Sequence, residues 1–139
     1  MRVVDAKRAG APGVVNAMCP LAEDDDPESI HIPKVVTDEG GRMLYMSRQR
    51  LPGHKDESNR PAVYWKQVCI YAYSGDELAR YLAFGRKSRL EQCEDIEIVR
   101  FLELGIPVSM VEVSGSTYAV DIPSDVDRVS RAMLERGVA

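Results

Sequence analysis

Asp121 is the polar residue whose surroundings most clearly suggest chemistry, because it follows a short apolar run and precedes Pro123. Proline is favoured at the first position of a helix, so we expect Asp121 at a strand end beside a helix N-terminus. A carboxylate there can hold Mg²⁺, which binds one or two carboxylates together with substrate phosphates. It can also cap the helix by accepting hydrogen bonds from free backbone N–H groups. The spacing alone favours the cap, and both roles can coexist.

Three further candidates lie on two runs rich in β-branched and aromatic residues. Arg48 closes one such run, where a guanidinium can bind a carboxylate or a phosphate through two parallel hydrogen bonds. An exposed arginine at a strand end is the simpler interpretation. Tyr71 and Tyr73 alternate with apolar residues in a second run, so both are predicted to face the same side of a strand. Core packing of their rings is the default interpretation.

Three glutamates, Glu91, Glu94 and Glu97, are spaced three residues apart in a segment with helical periodicity. This spacing predicts a ridge of carboxylates along one side of a helix. Such a ridge can bind sugar hydroxyls or supply a general base, but it is more often a solvated helix face.

The composition and the missing motifs exclude several classes of protein. The chain has 139 residues, 45% of them hydrophobic and 29% charged, which predicts a single globular domain over residues 1–139. A net charge of −4 without a basic stripe argues against nucleic-acid binding. No apolar run reaches the roughly 20 residues that span a bilayer, and the three cysteines form no Cys-x-x-Cys pair, so we expect a cytoplasmic protein. There is no Gly-rich phosphate loop or Gly-x-Ser-x-Gly elbow. Residue chemistry alone supports an enzyme and a binding module about equally.

The strands that must position these residues are marked by turn signals. The first ten residues read as the end of a helix, and a short strand follows over residues 14–21. The acidic loop at 23–27 is predicted to be a solvated connection. Two β-rich runs at 34–37 and 43–46 flank Gly40-Gly41 and predict a hairpin. The longest predicted strand covers residues 62–73.

Three helices complete the predicted fold. Ser74 and Ser88 each precede a glutamate by three residues, the pattern of a capping box, and open helices that run to Gly85 and to Leu104. Strands at 108–113 and 118–120 lead to a last helix over residues 124–136. This order predicts an α/β or α+β domain.

Five stretches together resemble the C-terminal half of the 3-deoxy-manno-octulosonate (Kdo) cytidylyltransferase family. The resemblance extends over roughly residues 12–136, with these stretches in the order and spacing of that family. They are residues 34–38 (KVVTD), 41–52 (GRMLYMSRQRLP), 66–73 (KQVCIYAY), 90–100 (LEQCEDIEIVR) and 120–129 (VDIPSDVDRV).

The resemblance implies a partial, Rossmann-like nucleotidyltransferase fold with a dimerisation hairpin. It implies transfer of CMP from CTP to a 2-keto-3-deoxy sugar acid, with Mg²⁺ as cofactor and a role in lipopolysaccharide biosynthesis. Asp121 then corresponds to a catalytic metal carboxylate. The residues that correspond to sugar-binding positions are Arg48, Gln67, Tyr71, Glu94 and Glu97.

Departures from the family pattern affect both substrate and activity. Gln67 replaces a histidine and Ile98 replaces a glutamine, which suggests another 2-keto sugar acid or an aminated relative of Kdo. We also expect the N-terminal, CTP-binding half to be absent, so that the chain is inactive alone. The expected partners are a second copy in a homodimer and a separate chain that carries the N-terminal half. The alternative is a non-catalytic dimerisation or sugar-acid-binding module.

Overall fold

The computed structural model describes residues 2–114, 120, 123–135 and 137. The helices are α1 (Arg2–Arg8), α2 (Gly75–Ala83), α3 (Arg89–Glu94), α4 (Val99–Glu103) and α5 (Pro123–Glu135), with a 3₁₀ turn at Glu57–Asn59. The strands are β1 (Val14–Pro20), β2 (Lys34–Thr37), β3 (Met43–Ser47), β4 (Trp65–Ala72) and β5 (Val108–Glu112). The predicted hairpin, long strand and closing helix are confirmed, while the predicted strand at 118–120 lies largely outside the described residues.

The five strands form one mixed sheet in the order β3-β2-β4-β1-β5, which confirms the predicted α/β class. β1 runs parallel to β5, and the other neighbouring pairs are antiparallel. Six consecutive residues of β1 are buried, because this central strand is covered on both faces. The apolar run after α1 is therefore a strand, as predicted.

Hydrophobic residues fill both sides of the sheet. The larger cluster packs the hairpin, α3, α4 and one face of β1 and β5, and its buried members include Val14, Met18, Val35, Met43, Met46, Ile96, Ile98, Val99, Phe101, Ile106, Val108 and Met110. The smaller cluster packs α1 against the other face, through Val3, Val15, Ala17, Cys19 and Val68. The core is thus arranged as layers on both sides of β1.

The hairpin folds back over the larger cluster instead of extending away from the sheet. The Met110 backbone N–H donates to the Gly41 carbonyl at 2.8 Å, and Arg42 forms an isolated antiparallel bridge to Ser109. Gly41 has a φ of +78°, a conformation that a residue with a Cβ rarely adopts. The tip of the hairpin therefore meets β5, the opposite edge of the sheet.

The loop between β1 and β2 is held by two buried lysines and is more than a solvated connection. The ammonium of Lys34 donates to the carbonyls of Ser29 and Arg48 at 2.7 and 2.5 Å. The ammonium of Lys66 pairs with the Asp25 carboxylate at 2.5 Å, and both residues are buried. The prediction for this loop was wrong because its composition does not reveal a buried partner on β4.

The predicted helix over residues 88–104 is two helices, α3 and α4, separated by a break at Asp95. Asp95 has a φ of 51°, in the left-handed region that aspartate tolerates better than most residues. In a continuous helix, the apolar residues from 96 to 101 would point in all directions around the axis. The break lets Ile96, Ile98 and Phe101 all enter the core.

The predicted single ridge of glutamates is also wrong, because the break separates its members. Glu91 is buried, Glu94 is half-buried and Glu97 is exposed. Glu91 closes the predicted capping box, since its Oε2 accepts from the Ser88 N–H at 2.9 Å. The same carboxylate accepts two hydrogen bonds from Arg100, at 2.5 and 2.6 Å, which join α3 to α4 across the break.

Arg100 links this ion pair to α2. Its guanidinium carbon lies 3.7 Å from the centroid of the Tyr81 ring, a cation–π contact. Arg100 and Glu91 are 8% and 1% exposed, so water does not replace these contacts if one partner is lost. Among the described residues, no helix has the length and apolarity needed to cross a membrane.

We predict that Arg100→Met destabilises the protein strongly. The substitution leaves the buried Glu91 carboxylate without its cation, a loss that costs about 3–5 kcal/mol of unfolding free energy. Chemical denaturation of the variant and the wild type measures the difference. Arg80→Met is the matched control, because Arg80 is exposed and donates a single hydrogen bond to the Leu104 carbonyl. Equal losses for the two variants would contradict a structural role for the pair.

The same pair predicts a dependence of stability on pH. Burial raises the pKa of Glu91, but hydrogen bonds from Arg100 and the Ser88 N–H outweigh it and hold the pKa below the ordinary 4.5. The stabilisation is complete above about pH 4.5 and is lost as the pH falls through the lower, native pKa. We therefore expect Glu91→Gln to be less stable than the wild type at pH 7. In urea denaturation, the difference in unfolding free energy between the two proteins narrows as the pH falls below 4.5, and a constant difference at all pH values would refute this assignment.

Candidate functional site

A cavity of about 300 Å³ opens between the end of β4, α2 and the segment that joins α3 to α4. It is lined by Tyr71, Tyr73, Leu78, Tyr81, Glu97 and Phe101. Four of these six side chains are aromatic, and one is a carboxylate. The cavity therefore has apolar ring walls and a single charged group.

The aromatic wall is a continuous stack of rings. The centroid distances are 5.8 Å for Tyr71–Tyr73, 5.5 Å for Tyr73–Phe101 and 5.0 Å for Phe101–Tyr81. These spacings are typical of favourable aromatic pairs. The Arg100 guanidinium lies over the Tyr81 ring, so the stack connects the buried ion pair of Glu91 and Arg100 to the cavity.

The hydroxyls of Tyr71 and Tyr73 stay protonated at neutral pH. Burial, then the neighbouring Cys69, Tyr73 and Glu97 groups, raise the pKa of Tyr71 above its ordinary value. Burial, with Tyr81 and Glu97, raises the pKa of Tyr73 to about 12. Both tyrosines therefore stay neutral, and their hydroxyls can donate hydrogen bonds.

Gln67 lies next to the cavity and contacts one of its tyrosines. Its side-chain N–H donates to the Tyr71 hydroxyl oxygen at 2.9 Å and, more weakly, to the Asn16 side-chain oxygen at 3.4 Å. The structure thus brings together three residues named by the family resemblance: Gln67, Tyr71 and Glu97. Tyr71 and Tyr73 face the same side of their strand, as predicted.

Arg48 is held by backbone carbonyls and is not among the residues that line the cavity. Its guanidinium donates to the carbonyls of Glu94, Ile30 and Asp95 at 2.6, 3.0 and 3.2 Å. These contacts fasten the end of β3 to the C-terminus of α3 and to the loop before β2. Arg48 therefore caps the C-terminus of α3.

Glu94 belongs to the same cluster as Arg48 rather than to the cavity. Its carboxylate accepts from the Arg48 backbone N–H at 3.0 Å and from the Tyr45 hydroxyl at 3.1 Å. Burial raises the pKa of Glu94, but these bonds and one from Ser47 outweigh it and lower the pKa. Burial and the Glu94 carboxylate raise the pKa of Tyr45 to about 12. The cluster of Arg48, Glu94 and Tyr45 therefore joins β3 to α3.

Asp121, the predicted catalytic and metal-binding carboxylate, lies outside the described residues. Within residues 2–114 and 123–135, no three His, Cys, Asp or Glu side chains come close enough together to hold a metal ion. Ile98, which corresponds to a family glutamine, is 1% exposed and packs in the core. The presence of isoleucine instead of glutamine at this position therefore affects the packing of the core and not the lining of the cavity.

Sequence reasoning missed several residues that shape this site. Leu78 and Tyr81 reach the cavity from α2, and their i, i+3 spacing on a short amphipathic helix was the available signal. Asn16 was also missed, although it is the one polar residue within the apolar run of β1. It is fully buried, and its amide donates to the carbonyls of Val68 and Ile70 on β4, both at 2.9 Å.

Comparisons with known proteins place these features in a family, although no family model matches the chain. The curated 3-deoxy-manno-octulosonate cytidylyltransferase of Myxococcus xanthus is 37% identical over 115 residues, which are 83% of this chain and 46% of the relative. The one from Dichelobacter nodosus is 39% identical over 106 residues, or 76% of this chain and 43% of the relative.

A solved structure that is similar in fold points to the same family as the sequence relatives. It is described as CMP:2-keto-3-deoxy-manno-octonic acid synthetase complexed with CTP, and it superimposes with a TM-score of 0.79 at 27% sequence identity. The match covers 96% of this chain and 54% of that one. The chain spans about half the length of the curated relatives it matches. In sequence and in fold, therefore, this chain belongs to the 3-deoxy-manno-octulosonate cytidylyltransferase family, a group of nucleotidyltransferases, and corresponds to its C-terminal half.

Proposed function

We propose that this chain supplies the sugar-acid-binding half of a cytidylyltransferase that transfers CMP from CTP to a 2-keto-3-deoxy sugar acid, Kdo or a relative. The observation that carries the proposal is the cavity at the end of β4. Tyr71 and Glu97 come from two different family motifs, far apart in sequence, and line the same cavity. Family membership supplies the reaction class.

The chemistry of the cavity suits a sugar acid. Aromatic faces pack against the apolar C–H face of a sugar ring, and the few polar groups fix its orientation. The exposed Glu97 carboxylate accepts hydrogen bonds from sugar hydroxyls, while the neutral Tyr71 and Tyr73 hydroxyls donate. A volume of about 300 Å³ lies at the lower end of the range for small-molecule pockets and accommodates one sugar-sized ligand.

The proposed reaction is attack of the anomeric hydroxyl on the α-phosphate of CTP, with pyrophosphate as the leaving group. Enzymes of this kind act mainly by positioning the reactants and neutralising charge. In this chain, the tyrosines and Glu97 would hold the sugar so that its anomeric hydroxyl faces the nucleotide.

In this proposal, Asp121 is the residue of this chain that would bind Mg²⁺. The described residues contain no group of three His, Cys, Asp or Glu side chains that could hold the ion without further ligands. Asp121 would contribute one carboxylate, and a CTP-binding half would supply the remaining ligands.

We further propose that the active unit contains a CTP-binding half, on a separate or a longer chain, and that the hairpin mediates a homodimer in the cytoplasm. The alternative function is a sugar-acid-binding or dimerisation module without catalysis. The cavity lined by Tyr71 and Glu97 suits that function as well, because binding a sugar acid needs no nucleotide site.

We predict that pyrophosphate is released from CTP, Mg²⁺ and Kdo only when the N-terminal half of a homologue is added to this chain. The cavity binds the sugar, but the nucleotide needs its own site. A coupled pyrophosphate assay on the chain alone, the added half alone and the mixture measures this.

Activity in the mixture would then be expected to fall in the Asp121→Asn variant. A mixture that stays inactive, although both parts are folded and associated, would favour the non-catalytic module.

We also predict that Glu97→Gln and Tyr71→Phe each weaken Kdo binding by roughly five- to fiftyfold, since the first exchanges a charged acceptor for a neutral amide and the second loses a hydroxyl donor. Isothermal titration calorimetry on the full chain measures the dissociation constants. Gln92→Ala is the matched control, because Gln92 is exposed on α3 and does not line the cavity. Unchanged affinity in both cavity variants would mean that the sugar acid binds elsewhere.

A further inference from the structure

We propose that Asn16 is a positioning residue: it pins an irregularity in β4 so that Gln67 lies against Tyr71 and the Tyr71 hydroxyl donates its proton into the cavity. The identity of the ligand rests on the proposed function. The geometry of the three side chains does not.

The irregularity is a two-residue bulge in β4 opposite Asn16. Asn16 pairs with Tyr71 and the next residue of β1, Ala17, pairs with Val68, so two residues of β4 have no partner on β1. Bulges of this kind leave backbone groups without ladder hydrogen bonds. The Asn16 amide replaces two of them, by donating to the carbonyls of Val68 and Ile70. A buried amide that satisfies both carbonyls holds the bulge in one conformation.

The bulge sets the distance between Gln67 and Tyr71. In a regular strand, residues four apart on the same face are separated by about 13 Å. Here the residues opposite Gln67 and Tyr71 on β1 are Met18 and Asn16, only two positions apart, or about 7 Å. This shortening allows the 2.9 Å contact between the Gln67 amide and the Tyr71 hydroxyl.

The direction of that hydrogen bond fixes the role of the tyrosine. The Gln67 amide nitrogen also points to the Asn16 side-chain oxygen at 3.4 Å, so both contacts use Gln67 as the donor. A phenol has one proton, and an oxygen that accepts from Gln67 keeps that proton for another partner. The Cys69 side chain is hydrogen-bonded to Tyr71 in this structure, but sulfur is a weak acceptor that an oxygen of a ligand would replace. The Tyr71 proton is therefore available to a ligand in the cavity.

This arrangement selects the kind of ligand group that can meet Tyr71. The group must accept a hydrogen bond, as a carboxylate, carbonyl or hydroxyl oxygen does. An ammonium group has no lone pair and does not fit that position. The Glu97 carboxylate, in contrast, suits a hydroxyl or an ammonium. The cavity thus distinguishes the two ends of a ligand by hydrogen-bond polarity.

The first test needs no ligand. Tyrosine labelled with ¹³C at Cζ reports hydrogen bonding at each phenol oxygen by NMR in the full chain. We expect Asn16→Ala and Gln67→Met to shift the Tyr71 resonance and to leave that of Tyr45, in the separate β3–α3 cluster, unchanged. Val14→Ala is the matched control, because Val14 is buried on the same strand but pairs with β5 and not with the bulge.

An unshifted Tyr71 resonance in a folded Asn16→Ala variant would overturn the proposal, as would a shift of equal size in Val14→Ala. If Asn16→Ala does not fold, Asn16→Thr replaces it, because threonine favours strands but lacks the amide donors. An unshifted Tyr71 resonance in that variant would overturn the proposal in the same way.

The second test uses Kdo as the probe. We expect Asn16→Ala to weaken its binding by roughly three- to tenfold, and the double variant with Tyr71→Phe to bind no more weakly than Tyr71→Phe alone. Losses that multiply in the double variant would show that Asn16 does not act through Tyr71. A wild-type chain that does not bind Kdo would contradict the proposed function, while the NMR test would still decide the role of Asn16.

Discussion

The arrangement of the α-helical layer depends on the buried pair of Glu91 and Arg100. Burying two charges is costly, and the two-point geometry of the pair offsets that cost only if both partners are held in place. The capping box of α3 holds the carboxylate, and the ring of Tyr81 holds the guanidinium. The break after α3 can therefore exist without loosening the two helices. The cavity wall, which continues from Tyr81 through Phe101, is fixed by the same contacts.

Features with local signals were predicted from the sequence. The capping boxes at Ser74 and Ser88 form because their residues lie within one helical turn, and the hairpin forms because Gly40 and Gly41 permit a tight turn. The break at Asp95 was not predicted, since helical periodicity over residues 90–104 averages across it. What decides the break is the burial of Ile96 and Ile98 in a core built from distant strands. Such long-range packing is not visible in a local pattern.

The candidate site likewise combines features that the sequence predicted with features that it did not. Motif resemblance named Gln67, Tyr71 and Glu97, and the structure gathers these three at one cavity. The same resemblance named Arg48 and Glu94, which contact each other and the backbone in a separate cluster. Sequence similarity marks which residues matter within a family but does not separate those that line a cavity from those that support it. The bulge in β4 was also hidden, because the side chain that donates to its carbonyls lies on another strand.

The contact between the hairpin tip and β5 has a consequence for how copies of this protein behave in a crowded solution. A strand at the edge of a sheet presents unpaired N–H and C=O groups that invite the strands of other molecules to add on. The Gly41 carbonyl occupies the Met110 N–H at the middle of that edge, and Arg42 covers the neighbouring residue, Ser109. The hairpin thus blocks strand pairing at this position of β5, which lowers the tendency of copies of this protein to aggregate edge to edge.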